Sequence, residues 1–221
     1  MKFDILTTFT NSFSAIQESI VKRAADKGLV EVKIHNLRDW ATDNHKTTDD
    51  SPFGGGAGML MKIEPIYKAL KDLSVYPTRD SKTKVILTSA KGTTWAQPVA
   101  AEWAANLERI VIICGHYEGV DHRVVEHLID EEISIGNYVL SGGEIPAMVI
   151  VDSVSRLIQG VLGNQDSLTN ESHSGEISAE YPQYTRPATF KTEEGQEWGI
   201  PEILLSGDHQ KITDWQEKNS K

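Results

Sequence analysis

The sequence predicts an α/β fold built on a parallel β-sheet, and three observations support this fold class. Apolar runs typical of buried strands lie at residues 2–7, 84–88 and 109–113. Segments with helical signals separate these runs, and strands that alternate with helices favour a parallel sheet. Two glycine-bearing loops, at residues 115–121 and 136–143, follow apolar runs. Loops at neighbouring strand ends commonly form one pocket, so we expect a ligand site there.

The first part of the chain alternates strand, helix and loop signals. After the first strand, Asn11 or Ser12 can cap a helix that runs to Ala25. Alternating apolar and polar residues at 30–34 indicate a strand with one face in water. Residues 37–61 are polar and glycine-rich without periodicity. A loop of this length in a compact domain is usually functional or disordered.

The middle of the chain supplies further helices. Residues 64–73 have a helical pattern, and a proline-containing loop follows at 76–82. After the strand at 84–88, Thr93 or Thr94 can cap a helix that extends to residue 107. Three more predicted segments are a short helix, an irregular stretch and a strongly apolar helix, at residues 120–128, 131–141 and 145–158.

The last quarter changes in composition and sets the predicted domain boundaries. Residues 161–180 are dominated by small and polar side chains, which is typical of a flexible linker. Residues 181–221 contain three prolines and then a short polar helix, too little for a substantial core. We therefore predict a main domain at 1–160, a linker at 161–180 and a small, mostly helical domain at 181–221.

Composition excludes several classes of protein. No apolar run of this 221-residue chain approaches the roughly 18 residues of a membrane span. The single cysteine, Cys114, excludes an internal disulfide and any multi-cysteine metal site, so a reducing, cytoplasmic setting fits best. With 32 acidic against 22 basic residues, the net charge of −10 argues against a general nucleic-acid coat. A nucleic-acid substrate would need a local basic patch, with Mg²⁺ helping to offset repulsion but no fixed site assigned to it.

The glycine cluster at residues 52–59 lets backbone amides approach a phosphate or a planar ring. It lacks the Gly-Lys-Ser/Thr ending of a Walker loop and the spacing of the dinucleotide fingerprint. Asp49 and Asp50, just before it, could accept hydrogen bonds from a base edge or ligate Mg²⁺. The alternative is a flexible connector with a solvated acidic turn.

The paired loops at 115–121 and 136–143 carry a stronger signal. Tyr117 and Tyr138 offer flat surfaces suited to an adenine ring, and Glu118 could attract a cationic group of a ligand. The alternative is a pair of tight turns that only join strands. Two such turns with aromatic residues favour a ligand pocket.

Several charged residues outside these loops are candidates for chemistry. Arg156 lies late in an otherwise apolar predicted helix, where it either complements the helix dipole or stabilises negative charge on a substrate oxygen. The linker carries Asp166, Glu171 and His173, each a candidate general base or a solvated surface residue. Cys114 lies in an apolar run and is interpreted as a packing residue.

Four motifs, in order, resemble those of the bacterial tRNA (guanine-N1)-methyltransferase family of the TrmD type. They are DDSPFGGGAGM at 49–59, CGHYEGVD at 114–121, IGNYVLSGGEIPA at 135–147 and YTRP at 184–187. The resemblance covers nearly the whole chain. It implies a SPOUT-class fold with a deep trefoil knot on the C-terminal side of the main domain. It also implies a homodimer whose active sites lie between the subunits.

The resemblance further implies S-adenosylmethionine as the methyl donor, bound by the knot loops. By motif position the donor site comprises Leu87, Thr88, Ser89, Gly115, Tyr117, Glu118, Ser134, Ile135, Gly136, Asn137, Tyr138, Val139, Leu140, Gly142, Gly143 and Pro146. The implied substrate is the guanosine 3′ of the anticodon, position 37, within a tRNA anticodon stem-loop. The residues implied to contact the tRNA are Asp50, Gly55, Gly56, Gly58, His116, Ser172 and Arg186.

Guanine N1 carries a proton at neutral pH, so its methylation requires a base, and a cation near O6 stabilises the charge that develops. The resemblance implies Glu171 as the base and Arg156 as the cation, with Asp166 as the alternative base. Glu171 departs from the aspartate of the family, and His116 stands where an arginine is common. Two alternatives remain open: a related methyltransferase of ribose 2′-oxygens or ribosomal RNA, and a non-catalytic protein that binds ligand or RNA.

Overall fold

The computed structural model of the protein describes residues 1–162, 172 and 179–220. The chain divides into two compact units, Met1–Gly163 and Asn164–Lys221. None of the helices in these described ranges is long and apolar enough to cross a membrane.

The first unit is built on a five-stranded sheet and a separate two-stranded pair. Its strands are β1 Lys2–Thr7, β2 Glu31–Asn36, β3 Asp49–Asp50, β4 Leu60–Met61, β5 Thr83–Thr94, β6 Arg109–Cys114 and β7 Glu131–Ser134. The five-stranded sheet has the order β2-β1-β6-β5-β7, and all its neighbouring strands are parallel. The separate pair joins β3 to β4 in antiparallel fashion. The predicted parallel α/β sheet is confirmed.

Helices cover both faces of the sheet. They are α1 Ser19–Asp26, α2 Ile63–Asp72, α3 Gln97–Asn106, α4 His122–His127 and α5 Glu144–Ser155, with 3-10 segments at Thr10–Gln17 and Leu37–Trp40. Successive strand residues point to opposite faces, so Ile5 packs with α1, α3 and α5, whereas Leu6 packs with α2 and α4. Two apolar cores, one on each face, therefore hold the sheet.

The predicted helix from Asn11 or Ser12 to Ala25 is wrong as a single element. Glu18 is extended (φ −125°, ψ 176°) and Ser19 has a φ of 56°, so the chain breaks between the 3-10 segment and α1. Phe13 and Ile16 are buried on one side of the break and Val21 on the other. Burial of both apolar groups explains why two short segments replace one helix.

Two further boundary predictions are wrong. Thr93 and Thr94 do not cap α3, because β5 continues through them and pairs with β7 after a register shift between Thr88 and Thr93. The helix begins at Gln97, with a proline in its first turn, where the missing N–H costs no hydrogen bond. The stretch 131–141, predicted to be irregular, begins with strand β7.

Asp4 on β1 is a fully buried carboxylate held by a histidine and an arginine from the two neighbouring strands. Its Oδ1 lies 2.7 Å from His35 Nε2 on β2, and its Oδ2 accepts a 2.8 Å hydrogen bond from Arg109 Nε on β6. Arg109 also donates to the carbonyl oxygen of Leu73 at 3.0 Å. These contacts tie β1 to both of its neighbours, the edge strand β2 and the inner strand β6, at one point.

The Asp4 cluster predicts acid sensitivity of the fold. Burial alone would raise the pKa of Asp4, but the hydrogen bond with His35 and the charge and hydrogen bonds of Arg109 lower it below its usual value. A carboxyl group with a lowered folded-state pKa stabilises the fold above the unfolded pKa, about 3.9. That stability is lost as the pH falls through the folded-state pKa.

We therefore expect the free energy of unfolding to fall more steeply from about pH 5 to pH 2 in the unaltered protein than in Asp4→Asn. Urea titrations at a series of pH values measure both slopes. Parallel slopes would contradict the assignment of this acid sensitivity to Asp4.

The second unit contains a hairpin and a helix. Its described elements are β8 Thr189–Lys191, β9 Glu197–Gly199, a 3-10 segment Glu202–Leu205 and α6 His209–Asn219. Phe190 and Trp198 face each other across the antiparallel hairpin with ring centroids 5.8 Å apart. Asp208 caps α6 by accepting a hydrogen bond from the Lys211 N–H. The hairpin was not predicted, and no residue of 179–220 is fully buried.

Candidate active site

A cavity of about 440 Å³ lies at the carboxyl ends of β6 and β7, beside the irregular middle of β5. Its wall is built from residues 87–91 within β5, the end of β7, the segments that leave β6 and β7, and the first turn of α5. The lining residues are 87–91, 115–120, Val125, 132–136, 138–143 and Pro146. The two glycine-bearing loops therefore form one pocket, as their positions after apolar runs predicted.

Nearly all residues that the family resemblance assigned to the methyl donor line this cavity. The exception is Asn137, which is absent from the wall, while its neighbours Gly136 and Tyr138 are part of it. Their binding of the donor stays a prediction. The sequence analysis missed Lys91, which lies in the irregular part of β5 between Thr88 and Thr93, and Glu132, which pairs with Leu87 from β7.

Gly143 is required by close packing between the strand ends. A Cβ atom at this position would lie 2.0 Å from Thr88 Oγ1 and 2.7 Å from the Gly115 backbone nitrogen. The Gly143 N–H donates a 2.7 Å hydrogen bond to the Gly115 carbonyl oxygen, which holds the two loops together. The glycine therefore allows three chain segments to meet at the base of the cavity.

Replacing Gly143 with alanine is expected to lower the free energy of unfolding by about 1–3 kcal/mol, because the added methyl group overpacks backbone that cannot move aside. Gly199→Ala is the matched control, since a Cβ at Gly199 meets no heavy atom within 4 Å. Chemical denaturation measures both variants. Equal stabilities of the two variants would show that the loops adjust without strain.

Tyr117 occupies a strained position on the cavity wall. Its φ of 58° is in the left-handed region, which costs a non-glycine residue energy and is common at functional sites. Burial together with the neighbouring Asp49 carboxylate raises the pKa of its hydroxyl, and Arg38 partly opposes this shift. The side chain of Tyr117 therefore connects the cavity to the segment that precedes the glycine-rich loop.

The glycine-rich loop is attached to the cavity wall by backbone hydrogen bonds. The Met61 N–H donates to the Gly119 carbonyl oxygen at 2.9 Å, and the Glu118 N–H donates to the Met59 carbonyl oxygen at 3.1 Å. At Gly58 a Cβ atom would lie 2.3 Å from Glu118 Cγ, so the loop packs directly on that side chain. The loop residues predicted to contact tRNA are all exposed: Asp50, Gly55, Gly56 and Gly58.

Arg156 does not line the cavity. It caps the C-terminal end of α5, where its N–H donates to the Asp152 carbonyl oxygen at 3.1 Å. The first turn of the same helix places Pro146 in the cavity wall, and the helical rise separates these two positions by about 15 Å along the axis. The backbone of Arg156 therefore lies away from the cavity of its own chain.

The remaining predicted residues are distributed as follows. Glu171, Asp166 and His173 lie outside the described residues. The Ser172 N–H donates to Glu180 Oε1 at 3.2 Å. Arg186 is exposed in the second unit, where it lines a shallow depression with Tyr184.

No arrangement suited to a metal ion or a cysteine nucleophile occurs among the described residues. Within 1–162, 172 and 179–220, no group of three or more His, Cys, Asp or Glu side chains is placed to hold a metal ion. Cys114 is buried at the end of β6, and burial together with Glu144 raises the pKa of its thiol. Its packing role is consistent with this environment.

Comparison with known proteins identifies the family. The profile described as tRNA (guanine-1)-methyltransferase TrmD matches residues 1–221. A protein of Dehalococcoides mccartyi named tRNA (guanine-N(1)-)-methyltransferase is 52% identical over 221 residues, which are 100% of this chain and 86% of the relative. Proteins with the same name from Geotalea uraniireducens and Ruminiclostridium cellulolyticum are 52% and 48% identical over 100% of this chain and 85% and 91% of their own lengths.

The fold and the cavity define an α/β protein with a ligand site at the carboxyl ends of parallel strands. The matches over the whole chain then identify the particular family of methyltransferases. The chain belongs to the tRNA (guanine-1)-methyltransferase TrmD family. The family inferred from the four sequence motifs is confirmed.

Proposed function

We propose that the protein transfers the methyl group of S-adenosylmethionine to N1 of the guanosine that follows the anticodon, position 37, in tRNA. The observation that carries this proposal is the convergence of two family motifs, at 114–121 and 135–147, on one cavity at the strand ends. The attachment of the glycine-rich motif to the same wall supports a substrate site beside the cavity. The relatives' shared name gives the base and the ring nitrogen.

The residues of the cavity fit S-adenosylmethionine. A volume of about 440 Å³ is within the usual range for small-molecule sites. Tyr138 and the backbone of the 134–140 loop would hold the adenine ring, and Glu118 would attract the cationic end of the ligand. Glu132 lines the wall, and its buried Oε1 makes no hydrogen bond and lies 3.8 Å from Lys91 Nζ, so a ligand donor would complete its contacts.

S-adenosylmethionine supplies a methyl group on a positively charged sulfur. The N1 proton of guanine must leave so that the nitrogen lone pair can attack this methyl group. In the proposed mechanism the Glu171 carboxylate accepts the proton, as a general base. The Arg156 guanidinium stabilises the negative charge that develops at O6.

The proposed active site lies between two copies of the chain in a homodimer. Arg156 caps the end of α5 that is remote from the cavity, so the proposal pairs each cavity with the Arg156 and Glu171 of the partner chain. Apolar side chains exposed beside the cavity support an interface there, since Val139 and Ile145 are 84% and 51% exposed. The close packing of Gly143 on Gly115 is compatible with the trefoil knot that the family implies.

The proposed macromolecular partner is the anticodon stem-loop of tRNA, in the cytoplasm. The glycine-rich loop, with Asp50, Gly55, Gly56 and Gly58, would lie along this RNA together with His116, Ser172 and Arg186. Basic side chains that offset the acidic average are expected to contact phosphates: Lys22, Arg23 and Lys27 in the first unit, and Arg186 and Lys211 in the second. All five are exposed.

The test is methyl transfer to undermodified tRNA. Purified protein is incubated with radiolabelled S-adenosylmethionine and tRNA that carries unmodified guanosine at position 37, and the labelled nucleoside is mapped. Label in 1-methylguanosine at that position is the expected result. Label on a ribose 2′-oxygen or in ribosomal RNA would replace the proposal with a related methyltransferase. Donor binding in calorimetry without transfer to any of these RNAs would favour a non-catalytic protein.

Replacing Arg156 with alanine is expected to lower kcat by about 10²-fold, a typical loss for one electrostatic group that acts in the transition state. Affinity for the methyl donor should hardly change, because the proposed contact of Arg156 is with O6 of the guanine and not with the donor. Steady-state kinetics and calorimetry separate the two effects. Lost stability with normal specific activity would show that Arg156 is structural.

A further inference from the structure

A buried carboxylate at the start of α5 is fixed by a chain of hydrogen bonds. Glu144 is only 8% exposed, and its Oε1 accepts a 2.7 Å hydrogen bond from the Thr7 hydroxyl. The Phe9 N–H in turn donates to Thr7 Oγ1 at 2.9 Å, which orients the hydroxyl toward the carboxylate. The first turn of a helix stabilises a negative charge at this position. Glu144 therefore presents its second oxygen in a fixed direction.

That second oxygen faces His116 on the cavity wall. Glu144 Oε2 lies 3.9 Å from His116 Nδ1, and this ring nitrogen is buried without a hydrogen-bond partner. A Cβ at Gly142 would lie 2.4 Å from Oε2 and 2.5 Å from Nδ1, so the chain keeps a glycine beside the pair. Phe9 packs on the imidazole with ring centroids 4.6 Å apart. The orientation of the ring is thus defined from several sides.

The carboxylate selects one tautomer of the imidazole. A negative oxygen beside Nδ1 favours the proton on that nitrogen and disfavours a lone pair there. The proton-free nitrogen of the neutral ring is then Nε2, which can only accept. The side chain is 21% exposed although Nδ1 is buried, so the accessible part of the ring lies away from Glu144. His116 lines the cavity, which gives Nε2 access to a ligand.

We propose that His116 Nε2 accepts a hydrogen bond from the exocyclic N2 amine of the guanine that is methylated, and that Glu144 is the positioning residue that maintains this tautomer. The inference rests on the proposed function. The donor edge of guanine offers N1–H and N2–H₂. During the reaction N1 loses its proton and receives the methyl group, so a fixed neighbour at N1 would block the transfer. The N2 amine is the donor that remains for a fixed acceptor.

The test compares tRNA with guanosine at position 37 and the same tRNA with inosine there, because inosine keeps N1–H and O6 and lacks only the N2 amine. The unaltered protein should methylate the guanosine substrate with a kcat/KM about tenfold or more above that of inosine, the effect of losing one hydrogen bond in a desolvated site. His116→Ala should methylate both RNAs at similar, lower efficiency. Absence of transfer to the guanosine substrate would refute the proposed function itself, a result distinct from equal use of both RNAs.

Variants of the pair separate hydrogen-bond polarity from packing. His116→Gln keeps an acceptor oxygen and should retain part of the discrimination against inosine, whereas His116→Arg carries donors only and should lose it. Glu144→Gln should also lose the discrimination with His116 intact, because the amide N–H₂ would donate to Nδ1, which then accepts through its lone pair while the imidazole proton moves to Nε2. The affinity of Glu144→Gln for S-adenosylmethionine, measured by calorimetry, should match that of the unaltered protein.

His122→Gln is the matched control. His122 lies 3.9 Å from Glu126, the separation found in the His116 pair, but it is 65% exposed on α4 and does not line the cavity. This variant should prefer the guanosine RNA over the inosine RNA by the same factor as the unaltered protein. Two results would overturn the proposal. One is discrimination against inosine that survives in both His116→Ala and Glu144→Gln. The other is an unaltered protein that methylates the guanosine and inosine RNAs equally well.

Discussion

Replacing Glu171 with glutamine should lower kcat by about 10²- to 10⁴-fold, the usual contribution of a general base. Glutamine keeps the length and hydrogen-bonding capacity of the side chain but cannot accept the N1 proton. Affinity for S-adenosylmethionine should be nearly unchanged, because the proposed role of Glu171 is to accept the N1 proton of the guanine and not to bind the methyl donor. Single-turnover rates with excess enzyme and calorimetric titration of the donor measure the two quantities separately.

Two further variants make this result specific. Glu171→Asp restores a carboxylate on a shorter arm and should recover much of the rate, because the chemical group is the same. Asp166→Asn removes the other candidate base of the linker. Normal turnover in Glu171→Gln together with a collapse in Asp166→Asn would transfer the role of base to Asp166.

Replacing Asp4 with alanine should lower the free energy of unfolding by about 3–5 kcal/mol, the cost of leaving a buried charge without its partner. Arg109 would remain only 19% exposed with no carboxylate beside it, and His35 would lose the same partner. Urea or guanidinium denaturation followed by circular dichroism measures the change. A large loss here is expected even though Asp4 lies outside the cavity wall.

The control for Asp4 is an ion pair of the same kind on the surface. Lys22 and Asp26 on α1 are 2.8 Å apart and more than half exposed, so Asp26→Ala should shift the unfolding midpoint little. A comparable loss in both variants would mean that burial is not what makes the Asp4 cluster important.

Residue pattern predicted most of the sheet because buried strands carry continuous apolar runs. The predicted strands at 2–7, 84–88 and 109–113 fall within β1, β5 and β6. Local pattern failed where long-range contacts decide the conformation. The break at Glu18 depends on packing of residues on both sides of it, and β5 extends to Thr94 only because β7 lies beside it.

The cavity was predictable from glycine positions after strands, but its detailed polarity was not. Tyr117, Glu118 and Tyr138 line the wall as expected. The Glu144–His116 pair joins residues from two separate motifs and depends on Thr7, far away in sequence, so no local spacing reveals it. Glu132 was missed because it ends a run of three acids, at 130–132, and lies at the start of a stretch predicted to be irregular.

Helix α5 has a consequence for how the enzyme tolerates change. In the proposed dimer, α5 starts at the donor cavity of its own chain and ends at the arginine that serves the cavity of the partner chain. The length of this one helix therefore sets the distance between the two active sites. A helix turns by about 100° for each residue, given 3.6 residues per turn. An insertion or deletion of one residue within α5 would therefore turn the Arg156 side chain by about 100° relative to Glu144. Both proposed active sites of the dimer would then have a misplaced arginine.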